Sequence, residues 1–399
     1  MSSPEAITPF KISIPQVDIE RLHTRLLTNQ IRHPTHDVVP NAGEDYGLQT
    51  AWAQNLMDHW THDYSWTFAQ RHMNSFSHYT TKMEDLDIHF IHQKSSSESA
   101  IPLLLIHGWP GSFHEFSEVI GPLTSPPSSS DGAAAKQAFH CIVPSLPGFT
   151  FSSPPQRRGW TVKDTARVFH TLMLRLGYKT YVVQAGDWGQ FVARELGANP
   201  AYGARVIHLN WCPGALPKEL KDEDLEPRER QARDRGINWR SEHIGYAALM
   251  RTRPQSLGWM VEDNPPGLLA FVGEKYFEAS NPTVHDTEGW KEHIVTTLCL
   301  YYFTRCITSS ALVYYENCPH HLFADYVVKE ENLIRCPFGY TSYIFDTAPN
   351  SRRAVERTGK LVFYNERDYA GHFACLEDPK GVCEDLREVV AKHWEKKEE

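Results

Sequence analysis

Ala185-Gly186-Asp187-Trp188-Gly189 follows the apolar run 180–183 and precedes a segment of helical character, 190–197. This spacing, with small residues on both sides of a central side chain, is typical of a nucleophile elbow between a buried strand and a helix. Small residues are needed because the turn is sharp and brings the two backbones close together. The central side chain is a carboxylate, and no Gly-x-Ser-x-Gly or Gly-x-Cys-x-Gly occurs elsewhere, which argues against an ordinary serine esterase. The alternative role for Asp187 is to cap the following helix.

Short apolar runs that end in Gly or Pro surround this motif along the chain. They lie at 102–106, 140–143, 180–183 and 206–211, with a last one at 360–364. Such runs are typical of strands that are buried on both faces. Because helical segments lie between them, the pattern predicts an α/β fold with a mainly parallel central sheet and helices on both faces.

A loop rich in glycine directly follows the first of these runs. It reads His107-Gly108-Trp109-Pro110-Gly111 and stands where a second oxyanion donor is expected. The backbone N–H groups of Trp109 and Trp188 are therefore predicted to converge on one oxygen. We interpret His107 as a residue that positions the loop and not as the catalytic base.

Two stretches interrupt the alternation of strands and helices. Residues 1–95 contain one helical segment around 17–27, and residues 216–335 continue from a charged run into a tyrosine-rich helical stretch without a clear strand. An all-helical insertion between the fourth and last core strands would cover the sheet edge where ligands bind. The predicted organisation is an N-terminal segment (1–95), a first part of the core (96–215), a helical lid (216–335) and a C-terminal part of the core (336–399). Residues 124–135 are predicted to form a surface loop without function.

Composition and charge exclude several other classes of protein. The formal charge of −9 at pH 7 argues against a nucleic-acid-binding surface. The chain shows no signal-peptide pattern and no apolar run long enough to cross a bilayer, so we predict a cytoplasmic protein without a membrane anchor. The 8 cysteines form no Cys-x-x-Cys pair, and His320-His321 lacks a further ligand at metal spacing. We therefore predict no metal and no cofactor, and we interpret His320 and His321 as solvated surface residues.

The elbow and the 107–111 loop, together with Leu146-Pro147-Gly148-Phe149-Thr150-Phe151-Ser152, resemble the epoxide hydrolases of the α/β-hydrolase superfamily. Residues 9–34 also resemble the N-terminal segment of the microsomal epoxide hydrolase group, which includes soluble fungal members. The resemblance covers nearly the whole chain, although Ala185 stands where the family usually has glycine. It implies the α/β-hydrolase fold, a helical lid and an N-terminal segment that wraps the core and lid.

A histidine base and its acid partner are expected in the C-terminal part of the chain. Gly371-His372-Phe373 follows the last predicted strand by a short loop, where a hydrolase places its histidine. The family motif Gly-Gly-His-Phe is matched except that Ala370 replaces the first glycine. A carboxylate must fix the tautomer of this histidine. Asp346 precedes the last strand and matches the family's acid position, with Glu316 as the alternative.

The resemblance further implies that lid tyrosines hydrogen-bond the oxygen of an epoxide. Tyr246 and Tyr314 match the two family positions, and Tyr315 is the alternative to its neighbour. A neutral phenol can donate a hydrogen bond at pH 7, whereas the alternative role for each tyrosine is packing within the lid. Three residues are predicted to contact the substrate: Trp109, Trp188 and Phe373.

These observations predict an enzyme that opens an apolar epoxide to a vicinal diol. Asp187 would attack the epoxide to form a covalent ester, and water activated by His372 would hydrolyse that ester. Three alternatives remain: a haloalkane dehalogenase, an epoxide cyclase and a protein of the same fold that binds without turnover. We also expect a homodimer and a role in detoxification or in the catabolism of aromatic hydrocarbons.

Overall fold

A sheet of nine strands forms the centre of the structure, a computed structural model that describes residues 6–29, 36–41, 43–126 and 136–394. The strands are β1 (Ile7–Phe10), β2 (His78–Met83), β3 (Leu86–Gln93), β4 (Ile101–Ile106), β5 (Phe139–Pro144), β6 (Tyr181–Ala185), β7 (Ala204–Leu209), β8 (Ile334–Phe345) and β9 (Gly359–Gly371). They lie in the order β1-β2-β3-β5-β4-β6-β7-β8-β9. Most of the loop predicted at 124–135 lies outside the described residues. Residues 32–34, at the end of the segment that resembles the microsomal group, also lie outside them.

The six strands from β4 to β9 run parallel to one another, which confirms the predicted mainly parallel sheet. Leu103 and Leu104 of β4 are each 0% exposed, because helices cover both faces of the strand. This burial explains why the central strands appear in the sequence as continuous apolar runs. The five predicted runs coincide with β4, β5, β6, β7 and the first part of β9.

The prediction that only helices lie between the fourth core strand and the last is wrong, because β8 lies between β7 and β9. It begins at Ile334 and contains Pro337 and Gly339, which weaken a strand pattern. Its pairing with β9 shifts register between Ile334 and Phe338, so the proline falls in an irregular part of the ladder. β9 also extends to Gly371, so that the predicted histidine follows the strand directly and not after a short loop.

The N-terminal part of the chain contributes three strands that were not predicted. β1 pairs with β2, β2 with β3 and β3 with β5, all antiparallel, so this part extends the sheet. Its helices are α1 (Gln16–Asn29), α2 (Thr50–Asp58) and α3 (Trp66–Met73). The helical segment predicted around 17–27 falls within α1. Arg21 and Arg25 of α1 pair with Asp263 at 2.7 and 2.6 Å, which joins this part to the later helical region.

Three helices connect the strands from β4 to β7: α4 (Ser117–Thr124), α5 (Val162–Arg175) and α6 (Asp187–Ala198). α6 carries Arg194, which is 0% exposed. Its guanidinium donates to the carbonyl oxygens of Asn332 at 3.2 Å and Thr358 at 2.8 Å. Because these carbonyls precede β8 and β9, the arginine fixes α6 against both strands.

The region between β7 and β8 is helical. Its helices are α7 (Pro227–Glu242), α8 (Gly245–Thr252), α9 (Pro254–Val261), α10 (Pro265–Leu268), α11 (Glu274–Glu278), α12 (Glu288–Thr304), α13 (Ile307–Ser310), α14 (Leu312–Tyr315) and α15 (Phe323–Val327). The later core helices are α16 (Arg352–Val355), α17 (Ala374–Glu377) and α18 (Pro379–His393). Within the described ranges, none of the helices combines the length and the apolar character needed to cross a membrane.

Candidate active site

Asp187 is the first residue of α6 and directly follows Gly186 at the end of β6. Its φ of +45° is a left-handed conformation that is uncommon for a residue with a side chain. A Cβ added to Gly189 would lie 2.2 Å from the oxygen of Ile106 and 2.7 Å from that of His107. The glycine at 189 therefore permits the close approach of β4 and α6 that turns the Asp187 carboxylate out of the elbow.

The loop after β4 holds one oxygen of this carboxylate. The backbone N–H of Trp109 donates to Asp187 Oδ1 at 2.7 Å. The contact is close enough that a Cβ on Gly108 would lie 2.1 Å from the same oxygen. Trp188 is in the first turn of α6, where backbone N–H groups have no partner within the helix. The positive end of the helix dipole adds to the stabilisation of negative charge at this point.

His372 lies between two carboxylates. Its Nε2 is 3.5 Å from Asp187 Oδ2, and its Nδ1 is 2.6 Å from Oδ1 of the buried Asp346. Burial by itself lowers the pKa of His372, but the charge of Asp346 and the contact with Asp187 raise it well above its ordinary value. The structure thus brings together the residues predicted as nucleophile, base and acid. Glu316, the alternative acid, accepts the backbone N–H of Gly159 at 3.0 Å.

The segment that carries the histidine is bonded to the helical region above the sheet. The backbone N–H of His372 donates to the carbonyl oxygen of Ala279 at 2.8 Å. Glu377 accepts the N–H of Gly371 at 3.0 Å and the N–H of Asn281 at 2.9 Å. Burial raises the pKa of Glu377 to about 7 against the effect of these two hydrogen bonds. One carboxylate therefore joins the histidine segment to the region between α11 and α12.

The two predicted tyrosines meet beside the Trp109 ring. That ring stacks on Tyr246 at 5.2 Å between centroids and meets Tyr314 edge-on at 5.8 Å. Burial raises the pKa of both phenols, so both keep their protons at neutral pH. The buried hydroxyl of Tyr314 has no hydrogen-bond partner within the described structure. Tyr315, the alternative residue, points away and is 51% exposed.

Comparisons with known proteins identify the family. The model described as the epoxide hydrolase N terminus matches residues 7–116, and the model of the alpha/beta hydrolase fold matches residues 101–207. A "Putative epoxide hydrolase" of Stigmatella aurantiaca (strain DW4/3-1) is 36% identical over 385 residues, which cover 96% of this chain and 84% of the relative. The chain belongs to the epoxide hydrolase family. "Epoxide hydrolase 1" of Oryctolagus cuniculus is 30% identical, with 97% of this chain and 89% of the relative covered.

Two solved epoxide hydrolase structures resemble this member of the family over their whole length. The Aspergillus niger epoxide hydrolase has a TM-score of 0.87 and 32% identity, with 98% of each chain covered. The juvenile hormone epoxide hydrolase of the silkworm Bombyx mori has a TM-score of 0.84 and 27% identity, with 97% of this chain and 95% of that chain covered. These matches confirm the α/β-hydrolase fold and the resemblance on which the expectations rested.

In this member of the epoxide hydrolase family, a cavity of about 410 Å³ opens above Asp187. Its volume lies within the usual range for small-molecule sites. Much of its wall is aromatic, formed by Trp109, Trp211, Tyr246, Phe323 and Phe373. Trp188, which is also predicted to contact substrate, lines a separate and smaller cavity.

His320 lies in the site, and its interpretation as a solvated surface residue is wrong. Its ring lines the cavity and stacks on Tyr314 at 5.4 Å between centroids. Burial lowers its pKa to about 4, so the ring is neutral at physiological pH. Metal-ligand spacing does not reveal this position, because it is the turn before α15 that directs His320 inward and leaves His321 exposed.

Two further ionisable side chains near the site were not predicted. Burial raises the pKa of Glu115 to about 8, with a smaller opposing effect from His372. Lys275 lines the cavity, and its ammonium lies 4.7 Å from the centre of the Tyr246 ring. The closeness of Glu115 to the 107–111 loop in the sequence was a usable signal, whereas Lys275 carries no sequence pattern that marks it.

Potential metal ligands do not cluster in the part of the chain that the structure describes. No group of three or more His, Cys, Asp or Glu side chains is arranged there to hold an ion. All eight cysteines are described, and each is a free thiol.

Proposed function

We propose that this chain hydrolyses apolar epoxides to vicinal diols, with Asp187 as nucleophile, His372 as base and Asp346 as its acid partner. The observation that carries the proposal is the position of the Asp187 carboxylate between two groups. One oxygen accepts the Trp109 N–H at 2.7 Å, and the other lies 3.5 Å from His372 Nε2. The first contact prepares an oxyanion site, and the second puts a base next to the carbon that water must attack.

In the first step, Oδ2 of Asp187 attacks a carbon of the epoxide. The C–O bond of the ring breaks, its electron pair stays on oxygen, and a tyrosine hydroxyl gives that oxygen a proton. The product is a hydroxyalkyl ester of Asp187 beside a tyrosinate. The buried, unpaired hydroxyl of Tyr314 supports this role, since buried polar groups normally have a partner. The Tyr246 ring lies 5.9 Å from that of Tyr314 between centroids, and its hydroxyl is proposed as the second donor to the same oxygen.

In the second step, His372 takes a proton from a water molecule that attacks the ester carbonyl carbon. The oxyanion that forms accepts hydrogen bonds from the backbone N–H groups of Trp109 and Trp188. On collapse the ester C–O bond breaks, and the leaving alkoxide takes the proton of the new Asp187 carboxyl group, which releases the diol and restores the carboxylate. The proton that His372 took from water then passes to the tyrosinate. A carboxylate nucleophile suits this sequence because its ester keeps a carbonyl for water to attack, whereas a serine would form an ether.

The charge on Asp187 controls when His372 can act. The free carboxylate helps to keep the pKa of His372 well above its ordinary value. Formation of the ester removes that negative charge, so the pKa of His372 falls and the imidazolium releases its resting proton to solvent. The neutral imidazole can then take a proton from the attacking water. The rate of ester hydrolysis is therefore expected to rise with pH until His372 is fully deprotonated.

The test is diol formation from styrene oxide, measured by chromatography with purified wild type, Asp187→Ala and the matched control Asp85→Ala. Asp85 is an exposed turn residue outside the cavity. We expect diol from the wild type and the control but not from Asp187→Ala. Wild-type diol formation by Asp187→Ala would contradict the assignment of the nucleophile.

A second variant tests the ester. His372→Gln should still alkylate Asp187 but should not hydrolyse the product, so intact-mass measurement should show an adduct with the mass of one epoxide. If this variant neither turns over nor gains the adduct, the two-step scheme is wrong. Halide release from alkyl halides without diol formation would support the dehalogenase, a cyclic ether would support the cyclase, and binding without any product would support a non-catalytic protein.

Several properties of the wider biology are also proposed. The aromatic wall of the cavity favours apolar substrates, which agrees with a role in detoxification or in the catabolism of aromatic hydrocarbons. The eight free thiols agree with a reducing compartment such as the cytoplasm. We further propose that residues 216–335 act as the lid, that residues 1–95 wrap the core and lid, and that two copies form a homodimer.

A further inference from the structure

The charged side chains that line the cavity differ in whether they have ionic partners. Most of those outside the Asp187–His372 pair are held in ion pairs: Glu229 with Arg353, Arg233 with Asp222 and Asp234, and Lys275 with Glu274 and Glu278. Each of these groups has its charge balanced by the protein. They are not available to bind an ion brought in by a substrate without giving up an existing partner.

Arg240 is different. It lies on α7, lines the cavity and is exposed at its mouth. Among the described residues it has neither an ion pair nor a hydrogen bond from its guanidinium. Its Nη1 lies 3.5 Å from the point where a Cβ on Gly236 would stand, so the side chain folds back over that glycine. Partial burial lowers the pKa of Arg240, and no carboxylate offsets this effect.

The cavity changes character from its floor to its mouth. The floor around Asp187 is aromatic, with Trp109 and Phe373 in its wall. The mouth is formed by exposed residues, among them Ile237, Arg240 and His321. An apolar substrate that filled only the floor would leave the guanidinium facing solvent. A longer substrate with an anionic end would bury its apolar part below and reach Arg240 above.

We propose that Arg240 forms a subsite for a carboxylate, and that the substrates this site prefers are apolar epoxides carrying a carboxylate at the end remote from the ring. A guanidinium binds a carboxylate through two parallel hydrogen bonds, a geometry that a lysine ammonium cannot reproduce. The remote position matters because a carboxylate close to the epoxide would be repelled by Asp187. This inference rests on the proposed function, since it assumes that the epoxide ring reaches Asp187.

The experiment compares straight-chain carboxylic acids that carry a terminal epoxide with their methyl esters. For each pair, kcat/KM is measured for the wild type, Arg240→Gln, Arg240→Lys and the matched control Arg158→Gln, in which an exposed arginine outside the cavity lining is changed. The quantity of interest is the ratio of kcat/KM for the acid to that for its ester.

We expect the wild type to prefer the acid to its ester at the best chain length. Arg240→Gln should lower the acid-to-ester ratio of kcat/KM about tenfold, which corresponds to the lower end of the free energies found for hydrogen bonds to charged groups, because the site is partly exposed. Arg240→Lys should fall between the two, and the Arg158→Gln ratio should match that of the wild type. The wild-type preference should also weaken as salt is added. An equal loss for acid and ester in Arg240→Gln, or no preference in the wild type at any chain length, would overturn the proposal.

A binding measurement separates this inference from the proposed function. Calorimetric titration of the wild type and Arg240→Gln with a saturated fatty acid and with the corresponding alcohol needs no turnover. Weaker binding of the acid alone in the variant would support the subsite even if no epoxide is hydrolysed. Diol formation from styrene oxide, combined with equal binding of the acid by both proteins, would reject the subsite and leave the proposed function standing.

Discussion

Replacement of Gly189 by alanine tests the geometry of the elbow. The added Cβ would lie 2.2 Å from the Ile106 oxygen, whereas ordinary contacts begin at 3.4 Å. Both neighbouring oxygens belong to the backbone at the end of β4, so α6 must move away from that strand by about 1 Å. Such overpacking costs about 1–3 kcal/mol of stability. A displacement of Asp187 by about 1 Å can reduce the rate on the order of 100-fold, because its carboxylate leaves the Trp109 N–H.

The assay for this prediction is thermal unfolding together with diol formation from styrene oxide. Gly121→Ala is the matched control, because a Cβ there meets nothing within 4 Å and the residue lies inside α4. In a helix, alanine is more favourable than glycine by about 0.5–1 kcal/mol, so the control should be as stable as the wild type or more so. Wild-type melting and wild-type turnover by Gly189→Ala would refute the argument that this glycine sets the position of Asp187.

Three further substitutions test other parts of the site. Tyr314→Phe should slow diol formation about tenfold to 100-fold because one proton donor is lost. Tyr315→Phe, which changes the exposed neighbour, should keep the wild-type rate. Equal rates of diol formation by the two variants would reject the choice of Tyr314. Between pH 4.5 and about 8, folded Glu115 keeps a proton that the unfolded chain has released, so the free energy of unfolding of the wild type should fall as pH rises. Glu115→Gln should not show this fall. Each pKa unit corresponds to about 1.4 kcal/mol, so the free energy of unfolding of the wild type should fall by at most about 5 kcal/mol across this range, relative to that of the variant. The same pH dependence of thermal unfolding in both proteins would contradict the prediction. Glu377→Gln should lower both the melting temperature and kcat, at a cost of about 1–3 kcal/mol, because an amide cannot accept both backbone N–H groups. The exposed Glu384→Gln is its control, and an unchanged kcat would show that Glu377 does not position His372.

Much of the core could be predicted because its strands are buried on both faces. Leu103 and Leu104 are apolar for that reason, and the turn residues that follow such strands mark their ends. The elbow was predictable because close packing at Gly189 permits so few residue types. These local constraints act over a few positions and are therefore visible in one sequence.

Other features depend on contacts that sequence spacing does not encode. β8 contains Pro337 and Gly339, which are tolerated because its pairing with β9 is irregular there. His320 becomes a cavity residue only when the helical region between β7 and β8 packs over the sheet. Tyr314 was selected by resemblance alone from the many tyrosines of the region between β7 and β8, and its burial beside Trp109 depends on the packing of separate helices. Such residues can be assigned only when the tertiary structure is known.

The hydrogen bond from the His372 backbone to Ala279 has a consequence for partly folded states. The parallel sheet supplies Asp187 and Asp346, but the segment that presents the imidazole is completed by an acceptor from the helical insertion. Segments of a protein can open locally while the remainder stays folded. A chain in which this helical region has opened would keep its sheet and the position of Asp187 but lose the support of His372. Inactivation on heating should therefore precede the melting of the sheet, and activity should return as the insertion closes again.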